Sequence, residues 1–205
     1  MKVARLACSL LALLVIPVAA FAQTGETPLA LGPEALASKD YEFRAYVTVE
    51  DDWDLFGVYR RGVGSGADFG VRAGYSDFAG GGLHIGGDVR YQMPWGQQSK
   101  LKYAIVGGLQ FTFGDAANLF SVPFGVSLGT DVGNEERPVV LYGTPLLVVD
   151  RYSVDGGGSN TELEFNLELG GDVTITRQWI FSGVLTIATN DNDNIELALG
   201  VIYRR

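Results

Sequence analysis

Glu162-Leu163-Glu164-Phe165-Asn166-Leu167-Glu168-Leu169-Gly170-Gly171-Asp172-Val173-Thr174-Ile175 is the stretch that decides the fold. Leu163, Phe165, Leu167, Leu169, Val173 and Ile175 fall at one parity; Glu162, Glu164, Asn166, Glu168, Asp172 and Thr174 fall at the other. A helix turns every 3.6 residues and would scatter both sets around its circumference, whereas a strand sends successive side chains to opposite faces. The stretch is therefore a long strand with one apolar and one polar face.

The same alternation runs outward along the chain. At 82–93, Leu83, Ile85, Val89, Tyr91 and Met93 alternate with His84, Asp88, Arg90 and Gln92; at 101–113, Leu101, Tyr103, Ile105, Leu109, Phe111 and Phe113 alternate with Lys102, Gln110 and Thr112. The end of the chain sets Ile195, Leu197, Leu199, Val201 and Tyr203 against Glu196, Ala198 and Gly200. Ten such runs lie near 42–50, 53–61, 67–76, 82–93, 100–113, 119–130, 138–152, 161–175, 177–189 and 194–204. The second and seventh are the weakest. Val139 to Asp150 is apolar on both faces and contains Pro145, which a central ladder tolerates poorly. Links such as Gly62-Val63-Gly64-Ser65-Gly66 and Asp77 to Gly82 are short and rich in turn formers, so consecutive strands pair antiparallel and no helical crossover fits. The expected fold is all-β, an antiparallel up-and-down β-barrel over 41–205 with ten strands, eight and twelve being the alternatives.

Alternation alone does not say which face is outside. A soluble lipocalin-like barrel hides its apolar face; a transmembrane barrel turns it to lipid. Runs of ten to fourteen residues match a tilted membrane crossing of about 9–11 residues better than the 5–6 usual in soluble sheets. Aromatics on the apolar face sit at strand ends: Tyr91, Tyr103, Trp179 and Tyr203 at the end shared with the termini, and Tyr75, Phe111, Phe113 and Phe120 at the other. Rings at both interfaces are what a membrane barrel requires. Gly70, Gly74, Gly86, Gly108, Gly125, Gly129 and Gly170 share the polar face, where side chains of a narrow barrel converge and compete for space.

The start of the chain points to export. Lys2 and Arg5 precede the apolar run Leu6 to Val18, and Ala20-Phe21-Ala22 is a small-x-small cleavage pattern, so residues 1–22 are expected to be a signal peptide removed before Gln23. Residues 23–40 carry Pro28 and Pro33 and read as a short periplasmic segment, either a flexible leader or a one-turn helix over 33–37. The only cysteine, Cys8, leaves with the leader, so the mature chain has no disulfide.

The apolar alternation closed by Tyr203, together with the N-terminal leader, resembles the pattern of bacterial outer-membrane β-barrel proteins of the small OmpA/OmpX/OmpW type. The resemblance spans about 41–205, with Arg204 and Arg205 departing from the usual terminal aromatic. It implies location in the cell outer membrane, contact with outer-membrane lipid and lipopolysaccharide, insertion by the barrel-assembly machinery, and a monomer.

The polar face carries Glu42, Arg44, Arg72, Asp88, Arg90, Lys102, Glu164, Glu168, Asp172 and Glu196. These are expected to line the lumen, either as ion pairs that fill and stiffen it or as the wall of a narrow hydrated path. A turn centred on Gly80 would set Arg72 opposite Asp88 and Ser76 opposite His84. The Ser–His pair suggests a hydrolase, but no nucleophile-elbow motif accompanies it, and a polar rim is the better reading. Asp191-Asn192-Asp193-Asn194 lacks the glycine and glutamate of an EF-hand loop. Charge sorts by end, with Asp51, Asp52, Asp54, Asp77, Asp115, Asp155, Asp191 and Asp193 on outer loops and Arg60, Arg61, Lys100, Arg137, Arg177, Arg204 and Arg205 on inner turns; Glu135 and Glu136 are the exceptions.

A net charge of −9 argues against a nucleic-acid surface. One histidine and one cysteine leave little for a metal centre, and 28 glycines without a three-residue period exclude collagen. The expectation is a non-enzymatic barrel, without cofactor or metal, serving envelope structure or surface interaction; the alternative is a narrow pore or carrier for small solutes. Leu167→Arg should severely impair folding into lipid, and Glu168→Gln should be mild unless it strips a lumen cation of its only partner.

Overall fold

The computed structural model describes residues 27–49, 53–94, 100–134, 138–154, 156–188 and 195–205. Ten strands follow one another: β1 (Tyr41–Val49), β2 (Trp53–Gly64), β3 (Ala67–Ser76), β4 (Gly82–Gln92), β5 (Leu101–Gly114), β6 (Ala117–Asp131), β7 (Val139–Val154), β8 (Ser159–Thr174), β9 (Trp179–Ala188) and β10 (Ile195–Arg204). Each pairs antiparallel with the next, and β1 also pairs with β10, from Glu42 opposite Arg204 to Val49 opposite Leu197, which closes the barrel. Closure leaves no edge strand with unpaired backbone groups, the condition for crossing lipid with strands.

The outward faces are apolar. On β8, Leu163, Phe165 and Leu169 are exposed, whereas Glu164, Asn166 and Glu168 between them are buried in the lumen. Water would not tolerate such a belt around a whole barrel, and lipid requires it. The fold is a transmembrane β-barrel. Rings gather at both rims. At the end bearing Tyr41 and Arg205, termed proximal, Trp179 lies 5.1 Å from Tyr203, and Phe43 lies 5.2 Å from Tyr59 and 5.7 Å from Tyr41. At the distal end, Trp53 lies 5.5 Å from Tyr75, and Phe111 lies 4.7 Å from Phe120 and packs on Phe113. Tyr91 is exposed and Tyr103 half-buried at the proximal end.

The seventh strand is sixteen residues long despite Pro145. Pro145 keeps its partner Leu167 on β8, but no pairing to β6 is made between Gly125↔Leu146 and Leu128↔Gly143. Pro123 on β6 behaves alike: it pairs with Val148 on β7, while pairing to β5 lapses between Gly107↔Phe124 and Gln110↔Ser121. Each proline faces its missing N–H toward one lapse and leaves the other ladder intact, which is how a closed sheet accommodates it.

Residues 27–40 are neither a helix nor a free leader. Thr27 to Pro33 and Leu36 are buried inside the barrel, and only 37–40 are exposed. The segment runs without strand or helix from the distal half of the lumen to the proximal rim, where Lys39 N–H donates to the Gly62 carbonyl (3.3 Å) and Gly62 N–H to that of Asp40 (2.9 Å). The reason is space. Ten strands enclose more room than their own side chains fill, and this segment occupies it.

Candidate functional site: the plugged lumen

The wall of the lumen is ion-paired before the segment is considered. Arg60 donates to both Asp68 and Asp88; Arg72 lies 2.8 Å from Asp88, Arg90 2.5 Å from Asp68, and Arg44 2.6 Å from Glu42. At the proximal rim Arg204 reaches the other oxygen of Glu42 at 2.5 Å, and Lys102 bridges Glu34 of the segment and Asp131. Asp172 accepts from Ser182 at 2.7 Å. Glu164 and Glu196 are buried toward the distal end, as is Asp150, which accepts from Ser121. Buried charges of this kind require partners, since an isolated one costs several kcal/mol.

Two of these charges sit elsewhere than the sequence suggests. Arg60, expected on an inner turn, is fully buried in β2, and Asp54, expected on an outer loop, is buried in the same strand. The reason is that β2 continues to Gly64 and turns only at Ser65-Gly66, so Arg60 is a lumen residue. Asp68, its partner across the turn, was likewise not singled out.

The hairpin register also corrects the sequence reading. Arg72 is opposite Gly86, Ser76 opposite Gly82, and His84 opposite Gly74. The turn is centred on Ala79, one residue before Gly80, because a 3-10 turn at Phe78–Gly80 with positive φ at Ala79, Gly80 and Gly81 closes it. Arg72 still reaches Asp88, now as a diagonal neighbour, by virtue of its length. The Ser76–His84 pairing does not form. Instead His84 Nε2 lies 3.0 Å from Thr27 Oγ1 and Nδ1 3.0 Å from Thr112 Oγ1. His84 thus sits between two threonine hydroxyls rather than opposite Ser76.

The segment is gripped through its backbone. Thr27 N–H donates to Gln110 Oε1 (3.3 Å), and Gln110 Nε2 returns a bond to the Thr27 carbonyl (2.9 Å). Glu168 spends both oxygens on it, accepting Leu29 N–H at 2.6 Å and Ala30 N–H at 3.1 Å. Arginines take the carbonyls: Arg72 those of Pro28 (2.8 Å) and Leu29 (3.2 Å), Arg44 that of Ala30 (2.8 Å), and Arg90 that of Gly32 (2.9 Å). Ser127 donates to the Leu31 carbonyl at 2.7 Å, and toward the proximal rim Gln92 and Asp68 accept from Ala35 and Leu36. A buried backbone without a ladder must find such partners. Glu168 is therefore not a bystander: the sequence reading weighed only a lumen cation as its partner, whereas it holds two backbone N–H groups of the segment.

Apolar contacts complete the seat. Leu29 and Leu31 pack among Ala104, Val106, Leu146 and Val148, while Ala30 faces Tyr46, Phe56, Val58, Tyr142, Val184 and Ala198. Two lumen glycines give this packing room. A Cβ at Gly108 would come within 3.2 Å of Leu29 Cδ2, and one at Gly170 would strike the Tyr142 ring.

Cys8, the proposed leader, Asp51, Asp52, Glu135 to Arg137, Asp155 and Asp191 to Asn194 lie outside the described residues. Among the described residues no group of three or more His, Cys, Asp or Glu is arranged to hold a metal ion.

No protein-family model matches the chain, and no curated protein matches it. Among solved structures, the N-terminal β-barrel domain of Pseudomonas aeruginosa OprF aligns over 83% of this chain and 100% of its own, at 10% identity and a TM-score of 0.40. A bacterial polysaccharide outer-membrane secretin aligns over 83% and 67%, at 10% identity and a TM-score of 0.48. Neisserial surface protein A aligns over 80% and 94%, at 14% identity and a TM-score of 0.38. The chain's own register and burial identify it as a closed, ten-stranded, antiparallel transmembrane β-barrel with its N-terminal segment seated in the lumen.

Proposed function

We propose that this chain is an outer-membrane barrel that serves the envelope as a structural or surface element and conducts little or nothing. One observation carries this reading: the lumen is occupied by residues 27–33, buried and bonded to the wall along their backbone. Both ends of the barrel sequence lie at the proximal rim, which is the periplasmic side if the chain is exported through a cleaved leader. The distal connections span only 2–6 residues, since β1 ends at Val49 and β2 starts at Trp53, β5 ends at Gly114 and β6 starts at Ala117, and β9 ends at Ala188 and β10 starts at Ile195. Loops that short offer a partner little surface, which favours the structural role over the interactive one.

Seating also supports removal of residues 1–22. Thr27 lies in the distal half beside His84 and Thr112, and the four residues from Gln23 to Glu26 reach at most about 14 Å. A leader still held in the inner membrane would keep Thr27 from that place, which supports cleavage before seating. Planar-bilayer recording tests the closed reading: the mature protein should give no regular steps. Stable, ion-dependent steps would overturn it in favour of a pore or carrier for small solutes.

A further inference from the structure

We infer that the lumen is a separable peptide-binding channel, built to take an extended, largely uncharged segment of the Thr-Pro-Leu-Ala-Leu-Gly-Pro kind, and that residues 27–36 are its tethered occupant. The inference rests on the reading of the segment as the closure of the barrel and goes beyond it, because a closure that merely fills space need not be separable.

Separability follows from three features. First, backbone pairing between the segment and the wall begins only at Lys39, and the bonds from Thr27 to Leu36 run to side chains. The β1–β10 seam closes the barrel without the segment's help. Second, Arg60, Arg72, Arg90 and Arg44 keep carboxylate partners on the wall when the segment is absent, and Lys102 keeps Asp131. Water has only to replace the carbonyls lost by the arginines and the two N–H groups lost by Glu168. Third, the join at 37–40 is exposed, so the occupant hangs on an accessible tether.

The same contacts state what the channel selects. Wall acceptors meet the N–H groups of Thr27, Leu29, Ala30, Ala35 and Leu36, and prolines stand at 28 and 33, where a residue lacking an N–H leaves no donor to satisfy. Two leucines spaced by two must enter the pocket of Ala104, Val106, Leu146 and Val148, and a small residue must lie between them, against Tyr46 and Tyr142. Recognition of backbone by side chains gives affinity, and the two leucine seats give specificity.

The test uses the mature barrel lacking residues 23–36, folded in detergent, and a labelled synthetic peptide spanning 27–37. Fluorescence anisotropy should show saturable binding, and in planar bilayers the peptide should block the current that the truncated barrel carries. Each leucine buried is worth roughly tenfold or more in affinity, so a peptide with Asp at both leucine positions should bind on the order of 100-fold more weakly. A folded truncated barrel that binds neither peptide, or both equally, would overturn the inference. Should truncation prevent folding, a protease site inserted between Ser38 and Lys39 lets the barrel fold around its segment before the tether is cut. Exchange of the cut segment for labelled peptide supports the inference, and no exchange over a day overturns it. Regular steps from the intact protein would instead defeat the closed-barrel reading, whichever way the peptide behaves.

Discussion

Replacing Glu168 by glutamine removes half of one side chain's grip on the segment. Leu29 N–H and Ala30 N–H each donate to a different oxygen of this carboxylate, at 2.6 and 3.1 Å, and the residue is 1% exposed. Glutamine retains one acceptor and turns the other position into an NH₂ that faces a backbone N–H. A hydrogen bond to a charged group is worth about 1.5–3 kcal/mol, and a buried donor left unmet costs about 1–3 kcal/mol. These two descriptions overlap, so about 3 kcal/mol of docking is lost, which raises the undocked fraction on the order of 100-fold. The assay places a cysteine at Leu31, which is fully buried, in a chain expressed from Gln23 onward, where no other cysteine stands. A charged maleimide then labels that thiol only when the segment leaves its seat. Glu168→Gln in this background should accelerate labelling by about two orders of magnitude, while the strand content of the barrel stays unchanged. Labelling rates within threefold of one another would refute the claim that Glu168 holds the segment.

Other outcomes follow from the wall and from the belt. Asp88→Asn strips a carboxylate from both Arg60 and Arg72; removing one partner of a buried pair costs about 3–5 kcal/mol, and the midpoint of urea unfolding in micelles should fall accordingly. Leu167→Arg puts a charge on the lipid face of β8 at mid-strand, opposite Pro145 and Ile187. It should cost about 2–4 kcal/mol, read as a smaller folded fraction in vesicle-folding gel shifts.

The barrel was legible because its signal is repetitive. A period of two sustained over 162–175 and repeated at 82–93, 101–113 and 195–203 fixes the all-β class. Strand length and the placing of aromatics decide the facing, and the two weak runs are why eight and twelve strands stand as alternatives. Register was less so, since it depends on the turn. A one-residue change of centre between Ala79 and Gly80 moves every partner in that hairpin by two. The segment in the lumen was misread because proline, glycine and small apolar residues look alike in a free leader and in an extended occupant. Its trace in the sequence lay elsewhere. The two weak runs are β2 and β7, the latter apolar on both faces, and their lumen-facing Phe56, Val58, Leu146 and Val148 are those that receive Ala30, Leu29 and Leu31. An apolar patch inside a charged lumen asks for an apolar occupant, and the chain supplies one a few residues before its first strand.

Hydrogen exchange on the unmodified mature protein, folded in lipid nanodiscs, tests the seated segment most directly, because it needs no substitution or label. Leu29, Ala30 and Leu36 donate their amides to buried carboxylates, so a peptic fragment covering 27–36 should retain deuterium-protected amides for hours, on the timescale of the β1–β10 seam. Complete exchange of that fragment within seconds, as for an unstructured leader, would contradict the account.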